Sequence, residues 1–319
     1  MTDGYGRKIE YLRMSVTDAC NLKCIYCMPP DGMKECPCRQ AMSADEFVEI
    51  ARAAASLGMK KLRITGGEPL VRSDIVPLVR RLGEIPGIED MSLTTNATLL
   101  APIARELFEA GIHRINISLD TLDAGKYEKI TRGGRLSDAL DGIRAAFEAG
   151  MSPVKLNTVL IGGFNDDEIE ALAALTLHCP VQLRFIELMP IGDTKGEFSA
   201  EAYLPDSTVL DRLPQLEPVP SEKHTVARLY RLPNAKGEIG LISPLSNHFC
   251  AECNRLRLTA DGCLKPCLHS AEEIPVRGLH GQELNSAILT AVSHKPEKHV
   301  ELSATERSEA KRSMYRIGG

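Results

Sequence analysis

Three cysteines near the start of the chain, Cys20, Cys24 and Cys27, follow the spacing C-x3-C-x2-C. A structural zinc site closes its tetrahedron with four protein ligands, and a [4Fe–4S] cluster is usually held by four cysteines. Three thiolates would hold a cluster and leave one iron open to a substrate or cofactor. The spacing therefore indicates a reactive iron–sulfur site. A zinc knuckle completed from elsewhere and a chance grouping of cysteines are the alternatives.

Residues within and downstream of this motif indicate which kind of iron–sulfur site it forms. Tyr26 lies inside the motif, and Gly66-Gly67-Glu68-Pro69 follows downstream. Together they resemble the radical S-adenosylmethionine (SAM) superfamily. The resemblance implies that the three cysteines hold a [4Fe–4S] cluster and that the Gly-Gly-Glu stretch holds the amino group of SAM. The SAM contacts that it implies are Tyr26, Gly67, Glu68, Ser118 and Met189.

A second cysteine group lies towards the end of the chain. Cys250 and Cys253 form C-x2-C, and Cys267 follows after thirteen residues. A closed zinc site that also uses Cys263 is one interpretation. Arg255 and Arg257 would repel a bare cation but attract a polyphosphate, because alternation along a strand puts both guanidinium groups on one face. A solvated strand face is the alternative for these two arginines.

The whole stretch at 249–268 reads F-C-x-x-C-N-R-x-R-L-T-x-D-G-x-L-x-x-C-L. It resembles the C-terminal signature of the GTP 3′,8-cyclase family of molybdenum cofactor biosynthesis, and the resemblance runs from Leu12-Arg13 to the final Gly318-Gly319. It implies a second [4Fe–4S] cluster on Cys250, Cys253 and Cys267. The remaining cysteines are then bystanders: Cys36, Cys38, Cys179 and Cys263.

The same resemblance implies the substrate contacts. It implies that a diglycine tail, Gly318-Gly319, reaches into the active site. Our hypothesis is that Arg257, or a neighbouring basic residue, assists the final reduction, so Arg257, Gly318 and Gly319 are the catalytic candidates. The GTP contacts that it implies are Arg13, Arg63, Thr94, Lys155, Arg255, Leu256 and Arg257. Up to five of these side chains are cations that would surround one tetra-anionic ligand.

Composition and charge exclude some classes of protein. The chain has 319 residues, of which 43% are hydrophobic and 25% charged, as in an ordinary globular protein. Its 38 basic and 43 acidic residues give a net charge of −5, which argues against a general binder of nucleic acid or membrane surfaces. No apolar run approaches the roughly 20 residues that span a bilayer. We therefore expect a cytoplasmic protein with reduced thiols.

The elements that must position these residues alternate along the chain. Apolar and β-branched runs predict strands at 9–16, 61–65, 91–95, 112–119, 154–160 and 181–188. Helical patterns lie at 43–57, 75–82, 103–110, 137–149 and 167–178. Such alternation favours a parallel α/β sheet with right-handed crossovers, and either an open doubly wound sheet or a barrel would satisfy the pattern. Polar residues gather where the strands end, which suits one shared catalytic face of a barrel.

The fold class is therefore α/β, and the resemblance implies an incomplete six-stranded (β/α) barrel, or partial TIM barrel. A smaller C-terminal α+β domain that carries the second cluster would cap its mouth. We expect the barrel at 1–225, with a linker at about 190–225, and the C-terminal domain at 226–319. Within that domain, 227–232 and 238–242 predict a hairpin, and 287–293 predicts a helix.

The resemblance implies a GTP 3′,8-cyclase that uses two [4Fe–4S] clusters and SAM. A 5′-deoxyadenosyl radical from SAM would abstract hydrogen from C3′ of GTP and give (8S)-3′,8-cyclo-7,8-dihydroguanosine 5′-triphosphate. The expected partners are a flavodoxin- or ferredoxin-type electron donor and a downstream cyclic pyranopterin monophosphate synthase, and a homodimer stays open. A peptide-modifying radical SAM enzyme with an auxiliary cluster and a non-enzymatic metal-binding protein are the alternatives.

Overall fold

The computed structural model describes residues 1–29, 41–191, 202–220, 226–300, 302 and 308–318. Three residues that the sequence singles out, Cys36, Cys38 and Gly319, lie outside the described residues. Parts of the predicted linker at 190–225 lie outside them as well. Within the described part of the chain, no helix has both the length and the apolar character that crossing a bilayer requires.

Strands and helices alternate through the first part of the chain, as the sequence predicts. They are β1 Tyr11–Ser15, α1 Ala44–Ser56, β2 Lys61–Thr65, α2 Ile75–Gly83, β3 Asp90–Thr95, α3 Ala104–Glu109, β4 Arg114–Ser118, α4 Ala124–Thr131, α5 Leu136–Glu148, β5 Val154–Leu160, α6 Ile169–His178 and β6 Val181–Glu187. The sequence analysis missed α4, because this short helix buries only Tyr127, Ile130 and Thr131 and has a weak apolar pattern.

The second part of the chain has shorter elements. They are α7 Ser207–Arg212, β7 Glu217–Val219, β8 Arg228–Arg231, β9 Glu238–Ile242, β10 Arg255–Leu258, β11 Cys263–Lys265, β12 Ile274–Pro275 and α8 Gly281–Ser293. The predicted hairpin is confirmed, since β8 and β9 pair antiparallel. Helix α8 begins at Gly281, ahead of the predicted start at residue 287.

All twelve strands of the described residues form one mixed sheet in the order β12-β11-β10-β1-β2-β3-β4-β5-β6-β9-β8-β7. The central strands from β10 to β9 pair in parallel, and the outer pairs are antiparallel. The sheet does not close within these residues. Strands β10 and β9, both from the second part of the chain, therefore extend the six predicted strands on either side.

The helices pack on one face of the sheet and bury its apolar residues. On α1 the side chains of Phe47 and Ile50 are buried, and on β2 Leu62 and Ile64 are at most 1% exposed. Because neighbouring residues on a strand face opposite sides, Arg63 lies on the other face. Helix α1 begins with the predicted capping box, in which Ser43 and Glu46 exchange hydrogen bonds.

A glycine fixes how closely α5 approaches the loop after β3. A Cβ at Gly142 would lie 2.2 Å from the carbonyl oxygen of Ala97. We expect Gly142→Ala to lower the free energy of unfolding by about 1–3 kcal/mol, because the helix must move away. Urea unfolding measures this change.

A second helical glycine supplies the control. At Gly125 a Cβ would meet only Oδ1 of Asp123, at 3.3 Å, the oxygen that accepts the capping hydrogen bond from the amide of Lys126. Gly125→Ala should therefore change the free energy of unfolding by less than about 1 kcal/mol, because the gain in helix propensity offsets a small shift of this cap. Equal stability of Gly142→Ala and the unmodified chain would contradict the close packing described here.

Candidate active site

A cavity of about 540 Å³ runs along the central strands, from Glu10 and Lys61 at their amino ends to Ser118 and Glu187 at their carboxyl ends. Most residues singled out by the sequence line this one cavity. They are Arg13, Cys20, Cys24, Tyr26, Cys27, Arg63, Gly67, Glu68, Thr94, Ser118, Lys155, Met189, Cys250, Cys253, Arg255, Arg257 and Cys267.

Leu256 does not line the cavity. Its side chain is fully buried in the core, because it lies between Arg255 and Arg257 on β10 and therefore faces the opposite side of the sheet. The expected contact between the Leu256 side chain and GTP thus has no support in this geometry.

The two cysteine groups lie at opposite ends of the same strands. Cys20 follows β1, whereas Cys253 precedes β10, and β1 and β10 pair in parallel. The sequence predicted one shared catalytic face for the polar residues at the carboxyl ends of the strands, and it assigned the second cysteine group to neither end. This group lies at the amino end, because Cys253 precedes β10.

The loop after β1 and the loop after β2 are in close contact at Gly67. The amide of Gly67 donates to the carbonyl of Thr17 at 2.7 Å, and the amide of Glu68 donates to the carbonyl of Ala19 at 2.8 Å. A Cβ at Gly67 would lie 2.5 Å from the Ala19 oxygen. Only glycine allows this approach, which places Glu68 beside the first cysteine loop.

Glu68 is a buried carboxylate at this junction, with 1% of its surface exposed. It accepts hydrogen bonds from the amides of Leu70 and Asn96, at 3.0 and 2.7 Å, and from the Thr95 hydroxyl at 2.8 Å. Burial raises the pKa of Glu68 to about 7, against the opposing effect of these hydrogen bonds. A cationic ligand beside it would favour the charged form.

The end of helix α4 holds the first cysteine loop. The amides of Lys23 and Ile25 donate to the carbonyls of Thr131 and Ile130, at 3.0 and 2.9 Å. These carbonyls have no partner within the helix, since they belong to its last turn. The Arg132 guanidinium then donates back to the carbonyls of Lys23 and Met28, at 3.0 and 2.9 Å.

The chemistry of the first three thiols fits a bound cluster. Burial raises the pKa of Cys20 to about 11 and that of Cys27 to about 12, and it also raises the pKa of Cys24. Without a cation these thiols stay neutral, whereas iron binds the thiolate form. All three are free thiols, so the residues present fit an iron–sulfur cluster.

Tyr26 joins this loop to the end of β4. Its hydroxyl donates to a carboxylate oxygen of Asp120 at 2.7 Å, and the other oxygen accepts from the amide of Val159 at 2.8 Å. Burial raises the pKa of Asp120 to about 6. The pair fixes the tyrosine ring at the cavity wall, where it lies beside the first cysteine group.

The second cysteine group lies in a more positive environment. Burial opposes ionisation of Cys253, but the charges of Lys295 and Arg255 outweigh it and lower the pKa of Cys253 to about 7. Burial raises the pKa of Cys267. The loop is anchored by Arg7, whose guanidinium donates to the carbonyl of Cys250 at 2.8 Å.

The zinc alternatives receive no support from the described residues. Cys263 is buried in β11 and is absent from the cavity lining. Among the described residues, no three histidine, cysteine, aspartate or glutamate side chains come together as ligands of one metal ion. The cysteines of a cluster bind different irons and therefore lie further apart than the ligands of a single ion.

A row of arginines crosses the middle of the cavity. Strand pairing puts Arg13 of β1 level with Arg257 of β10 and with Arg63 of β2. Burial lowers the pKa of Arg13 and of Arg63, and it lowers the pKa of Arg257 to about 10, with the neighbouring guanidinium groups adding to the effect. An anionic ligand would relieve this repulsion.

The structure adds cations that the sequence analysis missed. Arg114, Arg184 and Lys295 also line the cavity. Burial and nearby arginines lower the pKa of Arg184 to about 9 and that of Lys155 to about 7. Arg184 could have been found from the sequence, since it alternates with apolar neighbours on β6 as Lys155 does on β5.

Several buried polar atoms in the wall have no hydrogen-bond partner among the described residues. Among them are the hydroxyl of Thr94 and the side-chain oxygen of Asn157. Buried polar atoms are nearly always hydrogen-bonded in native proteins. These atoms therefore fit a polar ligand in the cavity.

The C-terminal tail reaches the same arginines. The carbonyl of Gly318 accepts from Arg13 and from Arg257, each at 3.0 Å. A Cβ at Gly318 would lie 2.3 Å from the Thr65 hydroxyl, and its φ of +72° suits glycine. Upstream, Arg312 fixes the tail by donating to Asp261 at 2.9 Å and by an ion pair with Glu273.

Similarity to solved structures establishes the fold. SuiB of Streptococcus suis bound to S-adenosylmethionine superposes with a TM-score of 0.61 and 17% identity, over 88% of this chain and 63% of that one. A histidine-tagged anSMEcpe with bound AdoMet superposes with a TM-score of 0.61 and 13% identity, over 92% and 80% of the two chains.

Sequence families and curated relatives cover the whole chain. Residues 14–176 match the Radical SAM superfamily, and residues 181–301 match Molybdenum Cofactor Synthesis C. The GTP 3′,8-cyclase of Peptoclostridium acidaminophilum is 49% identical over 100% of this chain and 98% of its own length. That of Alkaliphilus oremlandii is 45% identical over 100% of both. The chain belongs to the GTP 3′,8-cyclase family of the radical SAM superfamily.

Proposed function

We propose that this chain is a radical SAM lyase that converts GTP to (8S)-3′,8-cyclo-7,8-dihydroguanosine 5′-triphosphate, the first step of molybdenum cofactor biosynthesis. One observation carries the proposal: two groups of three cysteines, with a row of arginines between them, line a single cavity. Curated relatives with the GTP 3′,8-cyclase name match the chain along its full length.

The first cysteine group, at the carboxyl ends of the strands, is the SAM site in this proposal. Cys20, Cys24 and Cys27 would hold one [4Fe–4S] cluster. Glu68 binds and orients the amino group of SAM, and Tyr26, fixed by Asp120, provides the adjoining wall. Gly67 lets the backbone approach closely, while Ser118 and Met189 complete the lining.

The second cysteine group is the nucleotide site. Cys250, Cys253 and Cys267 would hold the second [4Fe–4S] cluster, whose open iron would face the guanine. The triphosphate is bound by the cations between the two groups, since guanidinium groups bind phosphate oxygens in pairs of hydrogen bonds. These residues are Arg13, Arg63, Lys155, Arg255 and Arg257, with Thr94 beside them.

When bound, the clusters and SAM would supply the radical chemistry, in which a 5′-deoxyadenosyl radical from SAM would take hydrogen from C3′ of GTP. The protein positions the ribose against that radical, because a primary radical attacks the nearest bond. In this proposal Arg257 and the tail assist the final reduction. The carbonyl of Gly318 accepts hydrogen bonds from Arg13 and Arg257.

The proposal extends to the finer architecture. The six central strands would form the incomplete barrel, with residues 1–225 as its domain and 226–319 as the domain that holds the second cluster. Support comes from β9 and β10, which join the six strands at their two sides. The parallel pairing of β10 with β1 lets the second part of the chain line the cavity.

The remaining partners follow from the reaction. SAM cleavage needs a one-electron donor, for which a flavodoxin or ferredoxin is the expected type, and a cyclic pyranopterin monophosphate synthase would consume the product. We place these partners and the protein in the cytoplasm, where thiols stay reduced. For the oligomeric state, the proposal keeps the homodimer as the alternative to the monomer.

Anaerobic incubation of the reconstituted chain with GTP, SAM and a reductant tests the function. The expected result is the cyclised nucleotide together with 5′-deoxyadenosine. Cys24→Ala should abolish SAM cleavage, whereas Cys179→Ala removes a thiol outside the cavity lining and should leave it intact. SAM cleavage without any cyclised nucleotide would favour the peptide-modifying alternative.

Arg255 provides a test of the phosphate assignment. We expect Arg255→Ala to weaken GTP binding by about 1–3 kcal/mol, the scale of a lost charged hydrogen bond, and to spare uncoupled SAM cleavage. Equilibrium binding of GTP measures the change. Arg231→Ala removes an exposed arginine that pairs with Glu238 and should leave GTP affinity unchanged. Equal affinity of Arg255→Ala and the unmodified chain would refute the phosphate contact.

Glu68 provides a pH test of the SAM site. Its pKa is raised to about 7, mainly by burial, so the carboxylate gains a proton as the pH falls below 7 and loses its attraction for the amino group of SAM. SAM affinity should fall between about pH 8 and pH 6, by up to about tenfold per unit at the acidic end.

Two variants separate this effect from other titrations. Glu68→Gln should bind SAM weakly with little pH dependence over the same range. Glu187→Gln removes another buried carboxylate of the same cavity and should keep the pH dependence of the unmodified chain. A flat pH profile of SAM affinity in the unmodified chain would rule out the assigned role of Glu68.

A further inference from the structure

Lys295 lies in the wall of the second cysteine site. It follows helix α8, lines the cavity, and is only 3% exposed. Neither the sequence motifs nor the contacts inferred from them include it. A lysine side chain is rarely buried to this extent unless its charge has a partner.

Its ammonium group contacts two segments of the cysteine site. It donates to the carbonyl of Arg255 at 2.9 Å and to the carbonyl of Pro266 at 3.0 Å. Its charge also acts on the thiol of Cys253 and lowers the pKa of that group. The two hydrogen bonds connect the residues that flank Cys253 and Cys267.

Two buried arginines outside the cavity lining have carboxylate partners. Arg7 pairs with Asp3 at 2.6 Å, and Arg312 pairs with Asp261 at 2.9 Å. For Lys295, the described residues provide no carboxylate within ion-pair distance. A buried charge needs a counter-charge or a metal centre, and the nearest anion-forming groups here are the thiols.

We infer that Lys295 is the counter-charge and positioning residue of the second iron–sulfur cluster. Three thiolates bring three negative charges to this site, and the ammonium group offsets part of them while holding two of the cysteine segments in place. A positive charge close to the cysteine sulfurs would stabilise the reduced cluster and raise its potential. This inference rests on the second cluster of the proposed function.

The test isolates the second cluster. In a parent chain with Cys20→Ser, Cys24→Ser and Cys27→Ser, redox titration followed by EPR reports the second cluster alone, and iron and sulfide counting reports its occupancy. In Lys295→Met the ratio of reduced to oxidised cluster at a fixed potential should fall about tenfold, which corresponds to about 59 mV for one electron. Lys295→Arg should restore most of this change.

Lys155→Met is the matched control, because it removes a lysine charge from the same cavity and Lys155 is not among the groups that act on Cys253. Lys155→Met should shift the reduction potential of the second cluster less than Lys295→Met does. If Lys295→Met loses iron, retention of iron in Lys295→Arg supports the role of the charge, and equal loss in both variants overturns it. Full iron with an unchanged potential in Lys295→Met also overturns it. A parent chain without any cluster refutes the second cluster itself.

Discussion

Positive charge buried around one cavity is the constraint on which the site depends. Burial lowers the pKa of five cations in its wall: Arg13, Arg63, Lys155, Arg184 and Arg257. Each guanidinium or ammonium group loses hydration and lies near other positive groups, so its protonated, charged form is disfavoured. Anionic ligands recover this free energy. A chain with a net charge of −5 can therefore still bind a polyphosphate, because positive charge is concentrated in this cavity.

The parallel pairing of β1 with β10 brings this charge together. It aligns Arg13 with Arg257 and places the first cysteine group at one end of the pair and the second at the other. Arg13 and Arg257 lie within these two strands, which rise about 3.3 Å per residue. The two arginines therefore lie between the two potential metal centres. The C-terminal tail contacts this aligned pair of arginines through the carbonyl of Gly318.

Local patterns in the sequence predicted much of this structure. The strands at 61–65 and 154–160 and the capping box of α1 follow from local periodicity and hydrogen-bonding residues, so they could be read directly. Cysteine spacing and the Gly-Gly-Glu stretch indicated the cofactor residues, since those contacts come from short segments.

Long-range pairing was harder to predict. The joining of β10 to β1 links residues far apart in the chain, and no local pattern encodes it. For this reason Lys295, which follows α8 and lines the cavity beside the second cysteine group, was missed. Leu256 was assigned to GTP from a motif, whereas strand alternation turns its side chain into the core.

If both cysteine groups line one active-site cavity, SAM and GTP bind next to each other in it. Transfer of deuterium from GTP to the 5′-deoxyadenosyl group tests this directly. With GTP deuterated at C3′, the 5′-deoxyadenosine formed in the reaction should carry the deuterium, because the radical and the ribose must be in contact. Formation of the cyclised nucleotide with unlabelled 5′-deoxyadenosine would contradict the shared cavity.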